Sequence, residues 1–278
     1  MRISTPTSGI GNRWKEGLRL MNQVERLGGH VAYEVVSVSE VDRSLPDVVC
    51  WPAGTRPIDD LVPFAGELAE SSGRRVVLVQ PRGCEGSTLP VEGHTLADLA
   101  GDVVAVLRHL DAGPAVVIGH AFGNRVMRMT ATLWPDLVCG IVLFAAGPMF
   151  PSTDLFHQAM AEARDDSLSM QDRVAAFGRA YFEDGGDPSL WWRSPSRAAA
   201  RIKDADAGPL SVWWAGGSAP MLVVQGELDQ SAPPANGEAL HAADPGRVEL
   251  HTIAGAAHTI PIDRPAQCAH LVADWLAR

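Results

Sequence analysis

Asp229 and His258 have the types and settings for acid–base chemistry, and the position where a nucleophile would complete the set holds alanine. A histidine takes up a proton near neutral pH, and a neighbouring carboxylate fixes its tautomer and stabilises the imidazolium that forms. The third position is the centre of Gly119-His120-Ala121-Phe122-Gly123. That glycine spacing is the one found in G-x-S-x-G, where a strand turns sharply into a helix and close packing leaves no room for flanking side chains. Ala121 has no oxygen, so it cannot attack a carbonyl. Cys84, Ser87, Ser218 and Ser231 are the other candidate nucleophiles, but none has a sequence-visible base beside it, and nucleophilicity requires one.

Each acid–base residue also has a plainer explanation. Asp229 follows an apolar run and precedes Gln230-Ser231-Ala232-Pro233-Pro234, where a carboxylate could simply cap a helix. His258 lies in a small-residue loop before Thr259-Ile260-Pro261-Ile262 and could be solvent-exposed. His120 is read as structural.

The elements around the alanine favour the chemical reading. Ala115 to Ile118 is an apolar run expected of a strand buried on both faces. Val126, Met127, Met129, Thr130 and Leu133 then recur at helical spacing before Trp134-Pro135-Asp136, and Gly140 to Ala145 reads as the next strand. Near the beginning, residues 22–27 and 30–36 flank Gly28-Gly29 as a hairpin signal.

Strand, elbow, helix and strand in this order resemble the α/β-hydrolase family, and the likeness runs from about residue 22 to residue 278. Asp47-Val48-Val49-Cys50-Trp51-Pro52-Ala53-Gly54 is similar to the family's strand and turn that supply one oxyanion-hole amide, with Pro52-Ala53 in place of the usual His-Gly. Val76 to Ser87 resembles the next strand and its Arg-Gly-x-Gly-x-Ser loop, although Gln80-Pro81 stands where an acidic residue is often found. Met221 to Asp229 resembles the late strand ending in the triad acid, and Gly255-Ala256-Ala257-His258 the loop carrying the triad histidine. The resemblance implies a mostly parallel central sheet flanked by helices with a helical cap insertion. It also implies catalytic positions at Ala121, Asp229 and His258, and backbone oxyanion donors at Gly54 and Phe122.

The expected organisation is an N-terminal extension over 1–20, a core over 21–146 and 218–278, and a cap over 147–217. Within the cap, Met160 to Arg164, Arg173 to Phe182 and Ser194 to Lys203 read as helices. Aromatic residues are most often core, but Met149, Phe150, Trp191, Trp192, Trp213 and Trp214, with Trp51 from the core, are the candidates for an apolar pocket wall.

The bulk properties fit one such domain. A chain of 278 residues with 46% hydrophobic residues can fill a sizeable core. A net charge of -10 argues against nucleic acid or an anionic membrane as partner. The four cysteines are widely spaced, with no disulfide framework or zinc site, and residues 1–20 lack the apolar core of a secretory signal. The expectation is a cytoplasmic protein with a small-molecule substrate and no cofactor, its oligomeric state open. Three functions fit: a serine hydrolase of small, largely apolar esters or lactones with its nucleophile removed at Ala121; a serine-free enzyme in which His258 and Asp229 activate water or shuttle a proton; and a non-catalytic binder. Intact Asp229 and His258 weigh against the last.

Overall fold

The computed structural model describes residues 21–38, 41–54, 56–193 and 205–278. The expected extension over 1–20 and the expected helix over 194–203 lie outside them.

Among the described residues eight strands form one sheet: β1 (Asn22–Arg26), β2 (Gly29–Val36), β3 (Val48–Trp51), β4 (Val76–Val79), β5 (Ala115–His120), β6 (Val138–Phe144), β7 (Met221–Gly226) and β8 (Val248–Ile253), in spatial order β1-β2-β4-β3-β5-β6-β7-β8. The N-terminal hairpin joins in antiparallel fashion, and the six strands from β3 to β8 run parallel. Alternation along the strands divides the core into two layers. Val49, Trp51, Val77, Val117 and Val223 face one side, where α2 (Leu96–His109) and α3 (Gly123–Leu133) pack. Val48, Cys50, Val76, Val116 and Leu222 face the other, against α1 (Val62–Ser72) and the C-terminal helix α8 (Pro265–Leu276). Strands covered on both faces must be apolar throughout, which is why they read as uninterrupted runs.

Chain direction across the sheet reverses between β3 and β5, which pair directly with Trp51 opposite Gly119. Two connections leave their carboxyl ends in opposite directions there, opening a crevice where open α/β sheets bind ligands. Gln80, at the end of β4, accepts from the Ile58 amide at 2.9 Å and donates to the Glu85 carbonyl at 3.0 Å. An amide side chain satisfies both partners there, which a carboxylate, having no donor, cannot do.

Between β6 and β7 lie α4 (Asp154–Arg164), α5 (Met170–Tyr181), α6 (Ser189–Arg193) and α7 (Leu210–Trp213). Thr153 caps α4 and Ser169 caps α5, each side chain accepting from a first-turn amide. These helices begin earlier than the apolar spacing suggested, because the caps set the start. α4 packs on α5, whereas α7 packs on α3 in the core, so the layer over the crevice is built from α4 to α6.

Candidate active site

The turn after β5 keeps the strained geometry of an elbow. Ala121 has φ +51°, a left-handed conformation that costs a non-glycine residue about 1–2 kcal/mol. Its flanks explain both glycines. A Cβ on Gly119 would lie 2.5 Å from backbone atoms of Gly123, and one on Gly123 would lie 2.5 Å from the Trp51 carbonyl oxygen. The Ala121 amide donates to the Phe144 carbonyl at 3.0 Å. The buried Asn124 side chain donates to the carbonyls of Phe144 (2.8 Å) and Ala145 (3.0 Å), tying the head of α3 to the end of β6. The residue held in this position is a methyl group.

Asp229 and His258 form a buried pair. His258 Nδ1 donates to Asp229 Oδ2 at 2.8 Å, and the other carboxylate oxygen accepts from the amides of Ser231 and Ala232, each at 2.8 Å. With Nδ1 as the donor, Nε2 is the basic nitrogen. The carboxylate is 1% exposed, so it is stabilised by these bonds rather than by water. The helix-cap and exposed-loop alternatives therefore do not describe these two side chains. The His258 loop is held from the end of α5: the Tyr181 carbonyl accepts from the amides of His258 (3.0 Å) and Thr259 (3.2 Å) and from the Thr259 hydroxyl (3.0 Å).

His120 does not line the crevice, in keeping with a structural role, yet it touches the acid–base pair from behind. Its Nε2 donates to the His258 carbonyl at 2.9 Å, and the two rings lie 5.5 Å apart. Burial, with the neighbouring His258 adding to it, holds the His120 pKa down at about 3, so the ring is neutral. Cys84 is buried, and its thiol pKa is pushed up to about 12 by desolvation. Ser87 is buried and donates to the Gln80 carbonyl at 2.8 Å. Neither side chain lines the crevice; of the four candidate nucleophiles Ser231 does, and its amide donates to Asp229.

The crevice is a cavity of about 930 Å³ that brings together Ala121, His258, Gly54, Phe122, Phe150, Trp191 and Trp192. No described backbone group accepts from the amides of Gly54 or Phe122. Four expected wall residues lie elsewhere. Trp51 falls on the α2–α3 face of β3 by strand alternation and is wholly buried in that layer. Trp213 and Trp214 follow α7 onto α3, where their ring centres lie 5.0 and 4.7 Å from the Arg128 guanidinium. Met149 is exposed outside the lining. Conversely, Tyr181, Arg56, Arg125, Arg164 and Arg173 line the cavity without having been singled out. The arginines come from separate elements whose charges read as ordinary solvated faces, so nothing local marked them.

A turn residue at the head of a parallel sheet, a buried carboxylate–imidazole pair and a helical layer above them define the α/β-hydrolase class. The family described as "Alpha/beta hydrolase family" matches residues 48–271, and the chain belongs to it. The chain is similar to the uncharacterised hydrolase YugF of Bacillus subtilis, 23% identical over a region covering 66% of this chain and 72% of that protein. It superposes on Est816, described as an N-acyl homoserine lactone degrading enzyme, with a TM-score of 0.70 and 22% identity, covering 91% of this chain and 100% of that one. The esterase RhEst1 from Rhodococcus sp. ECU1013 superposes with a TM-score of 0.72 and 19% identity, covering 92% of this chain and 97% of that one. No described helix is long and apolar enough to cross a membrane.

Proposed function

We propose that this chain is an ester-hydrolase scaffold for a small ester or lactone, with Ala121 in the position of the acyl-accepting nucleophile. The observation that carries the proposal is the left-handed backbone of Ala121 beside the buried His258–Asp229 pair. The substrate carbonyl sits over Ala121 with its oxygen toward the Gly54 and Phe122 amides, and α4 to α6 form the lid that shields it from water. With serine at 121, His258 would take the hydroxyl proton as Oγ attacks, then return it to the leaving alcohol, while Asp229 holds the imidazolium. The chain as it stands binds the substrate and omits the covalent step. Est816 and RhEst1, named for a lactone-degrading activity and an esterase, support this choice of substrates.

A second reading rests on the completeness of the acid–base pair: His258 acts directly on water or on a substrate proton, with no covalent intermediate. One experiment separates the two. Both the parent chain and Ala121→Ser are assayed on p-nitrophenyl acetate and butyrate and exposed to a fluorophosphonate label. Under the first reading only Ala121→Ser is labelled, and its kcat/KM exceeds the parent's by at least about 10³-fold, the scale on which loss of a triad serine acts. An unlabelled, inert Ala121→Ser refutes it. Turnover by the parent that disappears in His258→Ala establishes the second.

A further inference from the structure

We propose that the cavity takes an acyl compound bearing a carboxylate, and that Arg125 is the side chain that binds the carboxylate. This rests on the acyl-substrate reading above and specifies its substrate class. The first observation is the charge of the lining: Arg56, Arg125, Arg164 and Arg173 contribute to the cavity, whereas no aspartate or glutamate does among the described residues. In a chain of net charge -10 this is a local reversal of sign.

The second observation is which of these cations already has a partner. Arg56 binds Asp60 through two nitrogens at 2.6 and 2.9 Å, and Arg173 pairs with Asp166 at 2.7 Å. Arg164 has no hydrogen-bond or ion-pair partner among the described residues, but it is exposed, so water solvates its charge. Elsewhere Arg82 pairs with Asp102, and Arg75 with Asp47. Arg125 makes no side-chain hydrogen bond or ion pair with any described residue; its guanidinium lies 5.4 Å from the Phe122 ring centre. It is largely withdrawn from water, and that burial lowers its pKa. A desolvated charge without a counter-charge is costly and is ordinarily paired.

The third observation is its surroundings. Arg125 lies in the first turn of α3, at the positive end of the helix dipole, which disfavours a cation. One turn on is Arg128, fully buried and without a carboxylate: it donates to the carbonyls of Asn124, Trp214 and Gly147. Arg125 is among the causes that lower the Arg128 pKa to about 9, after burial. Two cations and a helix end thus converge with no anion, and of the two arginines Arg125 opens into the cavity. An arginine fork matches a carboxylate in plane and in charge. Because Arg125 is one turn from Phe122, a carboxylate bound there stays close to a carbonyl held over Ala121. A monoester of a short dicarboxylic acid has both groups at such a separation.

The test compares monomethyl glutarate with dimethyl glutarate, equal in length and differing by one charge, titrated calorimetrically into the parent chain at fixed ionic strength. The monoester is expected to bind at least about tenfold more tightly, the low end for hydrogen bonds to charged groups. In Arg125→Gln the preference should shrink to within about twofold, while the diester keeps its affinity. Arg125→Lys, which keeps the charge and loses the fork, should retain part of the preference. Equal affinities, binding of neither ester, or a preference that survives Arg125→Gln overturns the proposal. Hydrolysis of the same two esters by Ala121→Ser reads the underlying activity separately. Turnover of the diester without a charge preference in binding leaves the hydrolase reading standing and removes the carboxylate site. A charge preference without turnover does the reverse.

Discussion

Replacing Gly226 by alanine should separate His258 from Asp229 without touching either side chain. Gly226 ends β7, three residues before Asp229, and its Cα faces the loop that leads into His258. A Cβ there would lie 2.2 Å from the Ala257 carbonyl oxygen and 2.6 Å from that of Ala256. Backbone atoms cannot swing aside as a side chain can, so the loop must retreat by about 0.8 Å to reach even a tight contact of about 3.0 Å. Taken along the His258–Asp229 axis, that retreat stretches the 2.8 Å contact to about 3.6 Å, too long for a hydrogen bond. The packing cost is about 1–3 kcal/mol, which for a domain of this size lowers Tm by roughly 2–12 °C. The assay is the downfield proton signal of the His258 imidazole N–H, recorded with a thermal melt on the same sample. Loss of the signal with a retained fold is expected, and in an Ala121→Ser background a fall in kcat of about 10²-fold should accompany it, the scale of a 1 Å misplacement. An unchanged signal and an unchanged Tm would show that the close approach of β7 to the loop does not set the geometry of the pair.

Other consequences are independent of that one. His120 binds a proton in the unfolded chain below its ordinary pKa of about 6.5, but in the folded protein only near pH 3. The unfolded state therefore holds more protons throughout that window, and stability is lost as pH falls through it, by up to about 1.4 kcal/mol per pH unit. His120→Phe should flatten the acid limb of urea midpoint against pH, and an equally steep limb in the variant would refute the assignment. Trp213→Ala uncovers the buried Arg128 and should cost about 3–5 kcal/mol while leaving dimethyl glutarate affinity unchanged. Trp192→Ala, at the cavity wall, should weaken that affinity with a smaller change in Tm.

The sequence shows most where one local interaction dominates. The uninterrupted apolar strands were legible because burial on both faces permits nothing else. The hairpin was legible because its turn is short, although the turn is Leu27-Gly28, one residue earlier than expected, with Gly29 already paired to Arg26. The glycines at 119 and 123 were legible because backbone lies 2.5 Å from where each Cβ would be. Aromatic residues gave a poorer signal. Trp191 and Trp213 are both buried in the segment between β6 and β7, but one covers Ala121 while the other packs on Arg128. Nothing in their spacing separates those outcomes, because hydrophobicity favours any apolar contact equally and only the path of the chain selects which face is offered.

By itself the sequence determined the buried apolar strands, the elbow spacing and the absence of an oxygen at residue 121, which depend on residue type and on neighbours a few positions away. The parallel sheet and the candidacy of Asp229 and His258 followed from the order of these segments along the chain, through their likeness to a known family. The tertiary structure alone decided that Asp229 and His258 meet at 2.8 Å, and that the Tyr181 carbonyl holds the His258 loop. It alone decided that Arg125 faces a cavity without an anion while Arg56 and Arg173 have theirs. An ion pair depends on distance and on the water excluded around it, and residues dozens of positions apart acquire both only when the sheet and its helices close around them.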